Sequence, residues 1–361
     1  MLSFISLLLT GLIFISINMK AFALPVSVIA AYNGEDFGKN IAEQIKSGFN
    51  SGLSSLEQGS NISLPDKNLS DDWDEYFYID DVHDKEAEFT EIEKIPDGTK
   101  PIKSFTMMPS KYHEGYDGVY VVNEDNIKFD IKKLLSEDVE LDINSNSDEP
   151  QVLILHTHAT EAYNEERVNY YYPKNEYRSE DNSKNMIHIG AIVAEKLENA
   201  GYRTIHIYTQ HDNPDYNKSY TNSNNTIKTY LKKYPSIKVV LDVHRDTLIT
   251  DNGTKYRPIT QINGETSAQV MLLMGAGSET YPHKDWQKNF KFALNIQKRA
   301  NELYPNLMRS ILLRDSRYNQ HLSTGALLVE IGTCGNTIEE AQRAASYFTD
   351  ALIDILDSVK D

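Results

Sequence analysis

From residue 151 onward the apolar positions fall into blocks that switch between two periods. Val152-Leu153-Ile154-Leu155 is a continuous apolar run, which predicts a buried strand. Ile187, Ala191, Ala194 and Leu197 recur at helical spacing, and Gly201 follows as a stop, so a helix is expected over 185–200. A strand over 202–208 comes next, then a helix over 222–234 ended by Pro235. Strands are expected over 237–246, 267–274, 309–314 and 326–332. Helices are expected over 286–303, ended by Tyr304-Pro305, and over 337–359. Strands alternating with helices predict an α/β fold, a mostly parallel sheet with helices on both faces. No internal repeat is visible.

The pattern before residue 151 is different. Leu2 to Met19 carries no charge, and after Lys20 the chain is again mostly apolar to Tyr32. Eighteen uncharged residues are just enough for a membrane span. They also suit the apolar core of a signal peptide, with Ala21-Phe22-Ala23 as a small-x-small cleavage site. Residues 1–30 are therefore expected to be an anchor or signal, and the rest of the chain extracytoplasmic. Of the net charge of −17, −15 lies within 60–150 and −1 within 151–361. Runs such as Asp71-Asp72-Trp73-Asp74-Glu75 stay solvated and often contact partners. Residues 31–150 read as an acidic spacer or accessory region, partly ordered near Tyr112 to Leu135. The regular strand–helix pattern marks 151–361 as a separate domain. Such acidity excludes nucleic-acid binding, which needs a basic face.

Three of the predicted strands carry ligand-type side chains. The first runs into His156-Thr157-His158-Ala159-Thr160-Glu161. The second ends in Asp242-Val243-His244-Arg245-Asp246. The third, Ala326-Leu327-Leu328-Val329-Glu330-Ile331-Gly332, holds a glutamate within an apolar run. A buried ionised glutamate costs several kcal/mol without a partner. Open α/β sheets bind ligands at the carboxyl ends of their strands, so the three ends suggest one site: imidazoles, a carboxylate and a base suited to Zn²⁺. The bland alternative is three ordinary buried polar residues. Cys334, the only cysteine, forms no intrachain disulfide and reads as a small buried residue rather than a catalytic thiol. Gly275-Ala276-Gly277 is not a nucleotide loop, because no helix follows directly and no Lys-Ser/Thr pair is present.

The stretch from Arg317 to Thr337, with His156 to Tyr163 and Asp242 to Asp246, resembles the stage II sporulation protein P family. The likeness covers essentially all of 151–361. It implies a fold like that of the zinc-dependent N-acetylmuramoyl-L-alanine amidases and, more remotely, the zinc carboxypeptidases. It also implies a peptidoglycan hydrolase that cuts the amide between muramic acid and the stem peptide, and peptide cross-links. Its setting would be the sporulation septum and forespore membrane during engulfment. Its partners would be the membrane-bound sporulation proteins D, a lytic transglycosylase, and M, a membrane scaffold.

The resemblance implies roles as well. Glu330 matches the carboxylate of the last strand and would be the general base. His244 matches the second ligand histidine. His158 with Glu161 repeats the His-x-x-Glu spacing of the carboxypeptidases and is the preferred first pair of Zn²⁺ ligands. His156 is the alternative histidine, and Glu180 or Asp181 the alternative carboxylate. Arg245 would stabilise an oxyanion. Arg317, Asn319, Gln320 and His321 either hold the stem peptide or form a structural turn. Two other classes stay open: a zinc carboxypeptidase trimming wall peptides, and a noncatalytic wall-binding scaffold.

Overall fold

The computed structural model describes residues 78–80, 95–145, 147–164, 167–173 and 178–359. Thirteen strands and five α-helices are described. They are β1 (Tyr78–Asp80), β2 (Lys100–Met108), β3 (Glu114–Tyr116), β4 (Val119–Val122), α1 (Ile131–Leu135), β5 (Val152–Leu155), β6 (Tyr170–Tyr171) and α2 (Met186–Asn199). There follow β7 (Thr204–His206), α3 (Ser219–Lys233), β8 (Val239–Asp246), β9 (Lys255–Ile262), β10 (Glu265–Ala268) and β11 (Val270–Gly275). The last are α4 (Trp286–Leu303), β12 (Ile311–Arg314), β13 (Gly325–Thr333) and α5 (Ile338–Ser358).

Eight strands form the main sheet, in the order β3-β4-β12-β11-β13-β8-β5-β7. Only the β3–β4 and β11–β13 pairs are antiparallel. Strands β5, β8, β11, β12 and β13 are buried along their whole length because both faces are covered. Along β5, Val152 and Ile154 join the large core beneath α1, α2, α4 and α5. Leu153 and Leu155 join a smaller core with Ile227 of α3. The expected α/β architecture with helices on both faces is therefore present.

Helix ends follow the expected signals. Asn185 caps α2, its side chain accepting from Ile187 N. Thr337 and Glu340 form a reciprocal capping box at α5. Helix α3 starts at Ser219, three residues before the expected Asn222, and β7 is shorter than 202–208.

The structure differs from the expected pattern in three places. The strand expected over 267–274 is two strands in two sheets, divided at Gln269. Gln269 exchanges side-chain hydrogen bonds with the backbone of Met107, at 2.6 and 3.1 Å, and so lets the chain change sheets. Second, β9 had no apolar alternation to announce it, with Pro258 in its middle. It belongs to a separate sheet, β1-β2-β9-β10, with β6 on β2.

Third, the fold does not begin at Gln151. β4, within the stretch expected to be partly ordered, pairs with β12, and β2, expected in the spacer, pairs with β9, so residues before Gln151 supply strands to both sheets. Val119 and Val121 are fully buried in the main core. The described residues other than Leu248–Thr254 fall in one compact unit. After β8 a turn is closed by Thr254 N on Thr250 Oγ1 at 2.9 Å. Among the described residues no helix is long and apolar enough to cross a membrane. The expected anchor or signal over 1–30 and the acidic run at 71–75 lie outside the described residues.

Candidate active site

Strands β5, β8 and β13 are neighbours, so their carboxyl ends bring the three sequence motifs to one edge. His244 on β8 and Glu330 on β13 are register partners. His158 lies in the turn after β5, with its ring centre 5.3 Å from that of His244 at 83°. Glu161 completes the cluster, its Oε2 standing 3.5 Å from His244 Nδ1. All four side chains are buried, at 9% exposure or less.

Each is held by identifiable neighbours. On β8, Asp242 precedes His244 by two residues and so shares its face. Asp242 Oδ1 is 2.9 Å from His244 Nε2, within ion-pair range although off the line of a hydrogen bond. The same carboxylate accepts from Thr157 N at 2.8 Å and Thr157 Oγ1 at 2.6 Å, tying β8 to the His158 turn. Glu161 Oε2 accepts from Arg245 N at 3.2 Å. Arg245 Nε donates to Ala162 O at 2.7 Å and Nη1 to Thr247 Oγ1 at 2.8 Å. Arg245 thus braces the turn that carries Glu161.

Electrostatics divide the cluster. Burial pushes His158 down to about 3, so it is neutral. Burial also works against charge on His244, but Asp242 and Glu161 outweigh it and hold its pKa well above the ordinary value. Burial would raise Glu161, yet its contacts with His244, and the charges of His244 and Arg245, hold it well below the carboxylate range. Glu330 is pushed up to about 8, first by burial and then by Asp246 and Glu161, against His244 and Arg309.

The cluster fits a zinc ion by donor chemistry: two imidazoles and a carboxylate, with a second carboxylate beside them. His158 Nδ1 and Glu330 Oε2 are buried without a hydrogen-bond partner, and positive charge is already favoured between Asp242 and Glu161. Among the described residues, however, no three His, Cys, Asp or Glu side chains stand as a finished ligand group. A bound ion would have to draw His158, Glu161 and His244 closer together and displace the proton of His244.

The alternatives lie elsewhere. His156 is fully buried, with Nδ1 on Val243 O at 2.8 Å and Nε2 on His206 Nε2 at 2.9 Å. Glu180 and Asp181 are exposed, and the Asp181 carboxylate accepts from Ser183 N and Oγ. Of the four residues before β13, two are structural. Gln320 is buried and spends its amide on Gly275 N and Leu273 O. Asn319, in the left-handed region, donates to Tyr220 O and Ser223 Oγ and accepts from Asn224. Arg317 lies over the Tyr281 ring at 5.2 Å, and His321 faces His283 with ring centres 6.4 Å apart.

Several neighbours of the cluster were not anticipated. Asp242 was legible in principle, from its place two residues before His244. Tyr216, stacked on His158 at 4.4 Å, and Tyr220, edge-on to it at 5.6 Å, carried no local signal. Nor did Arg178 or Asp212.

The fold and this edge define an open-sheet α/β protein with a His–Glu cluster at the carboxyl ends of adjacent parallel strands. The chain belongs to the stage II sporulation protein P family, whose model matches residues 74–353. It is 27% identical over 217 residues to stage II sporulation protein P of Bacillus subtilis (strain 168), covering 57% of this chain and 51% of that protein. The chain thus spans about half the length of the curated relative it matches. Among solved structures it is similar to an N-acetylmuramoyl-L-alanine amidase from Clostridium difficile 630, at 15% identity and a TM-score of 0.35, covering 59% of this chain and 97% of that one. An N-acetylmuramyl-L-alanine amidase from Mycobacterium abscessus, in its apo form, gives 11% identity and a TM-score of 0.35, covering 59% and 98%.

Proposed function

We propose that this protein is a zinc-dependent peptidoglycan hydrolase of sporulation. The observation that carries the reading is the meeting of His158, Glu161, His244 and Glu330 at one sheet edge, with two buried donor atoms lacking partners. Membership of the sporulation family supports the setting. The bonds cut are the amide between N-acetylmuramic acid and L-alanine, and peptide cross-links. The place of action is the extracytoplasmic face of the sporulation septum, alongside sporulation proteins D and M.

His158, Glu161 and His244 would hold the zinc ion, which would supply Lewis acidity toward a carbonyl and bring the pKa of water at the site to ~7. Glu330, ionised by the charge of the cation beside it, would take the proton of the attacking water and return it to the leaving nitrogen. Asp242 keeps the His244 ring oriented. Arg245 keeps Glu161 in place through its backbone N–H and its grip on Ala162 O. Arg317 and His321 contact the peptide part of the substrate.

The test is digestion of purified cell wall by the purified chain, with and without a chelator, followed by mass spectrometry of the fragments. Chelator-sensitive release of peptides beginning with L-alanine supports the reading. Release of single amino acids points to a carboxypeptidase instead, a reading favoured by the His158-x-x-Glu161 spacing. Wall binding without any new fragment refutes both.

A further inference from the structure

His244 has a carboxylate beside its second ring nitrogen, as metal-bound histidines ordinarily do. Among the described residues no hydrogen bond holds the His158 ring, whose Nδ1 is buried and unpartnered. Its ring is held by aromatic packing instead. Tyr216 stacks on it at 4.4 Å, with 12° between the planes. Tyr216 is itself 39% exposed, so its ring needs a second contact on its outer side to stay in place. That contact is Arg178, whose guanidinium carbon lies 4.5 Å from the centre of the Tyr216 ring.

Arg178 also grips the other proposed ligand. Its Nη1 donates to Thr160 Oγ1 at 3.0 Å and to Asp212 Oδ2 at 2.8 Å. Asp212 Oδ2 accepts from Thr160 Oγ1 at 2.6 Å, and the Asp212 side chain is fully buried, so it needs the guanidinium. Nη2 stands 3.9 Å from Glu161 Oε1. The backbones of Arg178 and Glu161 form a bridge, and Ser179 N donates to Thr160 O at 2.7 Å.

Resting on the zinc reading above, the geometry points to Arg178 as a positioning residue that fixes His158, through Tyr216, and Glu161, through Thr160, relative to each other. The cation–aromatic stack takes the place of the hydrogen bond that the His158 ring lacks. The sign of its effect separates this role from simple electrostatics. A bystander cation near a metal site weakens metal binding, so its removal should tighten zinc. A positioning residue does the opposite when removed.

The experiment compares the full chain with R178A and R178K, by zinc competition against a chromophoric chelator and by NMR of the His158 ring protons. R178K keeps a charge beside Asp212, which protects folding, but loses the planar stack and the forked contact. Both variants should bind zinc roughly 10–100-fold more weakly. Turnover on wall fragments should fall while KM stays within about threefold. The ring-current displacement that Tyr216 imposes on His158 should shrink. Zinc binding that is unchanged or tighter in R178A, with unmoved His158 signals, overturns the proposal. If the unsubstituted chain takes up no zinc, the zinc reading fails by itself. The His158 signals then decide alone: shifted in R178A they support the positioning role, unchanged they end it.

Discussion

Glu330 stands directly across from His244, its register partner between the parallel strands β13 and β8. The pairing sets a buried carboxyl beside an imidazole that the surrounding carboxylates favour in its charged form. Neither the helix layer nor any loop is needed to bring the two together. The pleat alone puts both side chains on one face.

Replacing Glu330 tests the proton-transfer role. E330Q keeps the shape and removes the proton acceptor. Wall hydrolysis should fall ~100-fold or more, with zinc content unchanged. Because burial already pushes the Glu330 carboxyl up to about 8, a neutral side chain suits this site. The melting temperature should therefore stay within a few degrees. Activity within about threefold of the parent would assign the base to another residue.

Metal removal and the orientation of His244 form a second test. Dialysis against chelator should abolish hydrolysis, and zinc should restore it. D242N keeps the bond to Thr157 but weakens the hold on His244, and should lower zinc affinity by roughly 10–100-fold. Competition with a chromophoric chelator reads this directly. Full activity in a chain stripped of metal would refute the zinc reading.

Gly190 of α2 leaves room for the His156–His206 pair. A Cβ there would meet His156 Cε1 and Nε2 and His206 Nε2, each at 2.6 Å. G190A should cost ~1–3 kcal/mol through overpacking, seen as a lower melting temperature. Zinc affinity should change much less, since His158 rather than His156 lies beside His244. A large loss of zinc with unchanged stability would reverse that assignment.

Deleting residues 1–150 should prevent stable folding of the remainder. The cut removes β2 and β4 and exposes the edges of β9 and β12. It also removes Val119, Val121, Ile131 and Leu134 from the main core. Each such burial contributes ~1.5–3 kcal/mol, so four of them rival a whole net stability of ~5–15 kcal/mol. Circular dichroism and size-exclusion chromatography of 151–361 should show an unfolded or associating chain. A monomeric cooperative fold would make the upstream strands dispensable.

The sequence by itself determined the elements whose burial is complete on both sides. β5, β8 and β13 read as strands because a strand between two helix layers is apolar throughout, and α4 reads as a helix over its full length, Trp286–Leu303. It also determined which strand ends carry histidine and glutamate. Only the tertiary structure decided which histidine stands beside His244. Two residues apart on one strand would share a face, but the strand stops at Leu155, and the turn that follows sends His156 to His206 and His158 to His244. Likewise β4 and β2 find partners well over a hundred residues away. Such pairings leave no local period, because each strand's backbone is satisfied by chain far off in sequence. Arg178 joins the site for the same reason: Asp212, Tyr216 and Glu161 become its neighbours only when the loops after β5 and β7 come together at one edge of the sheet.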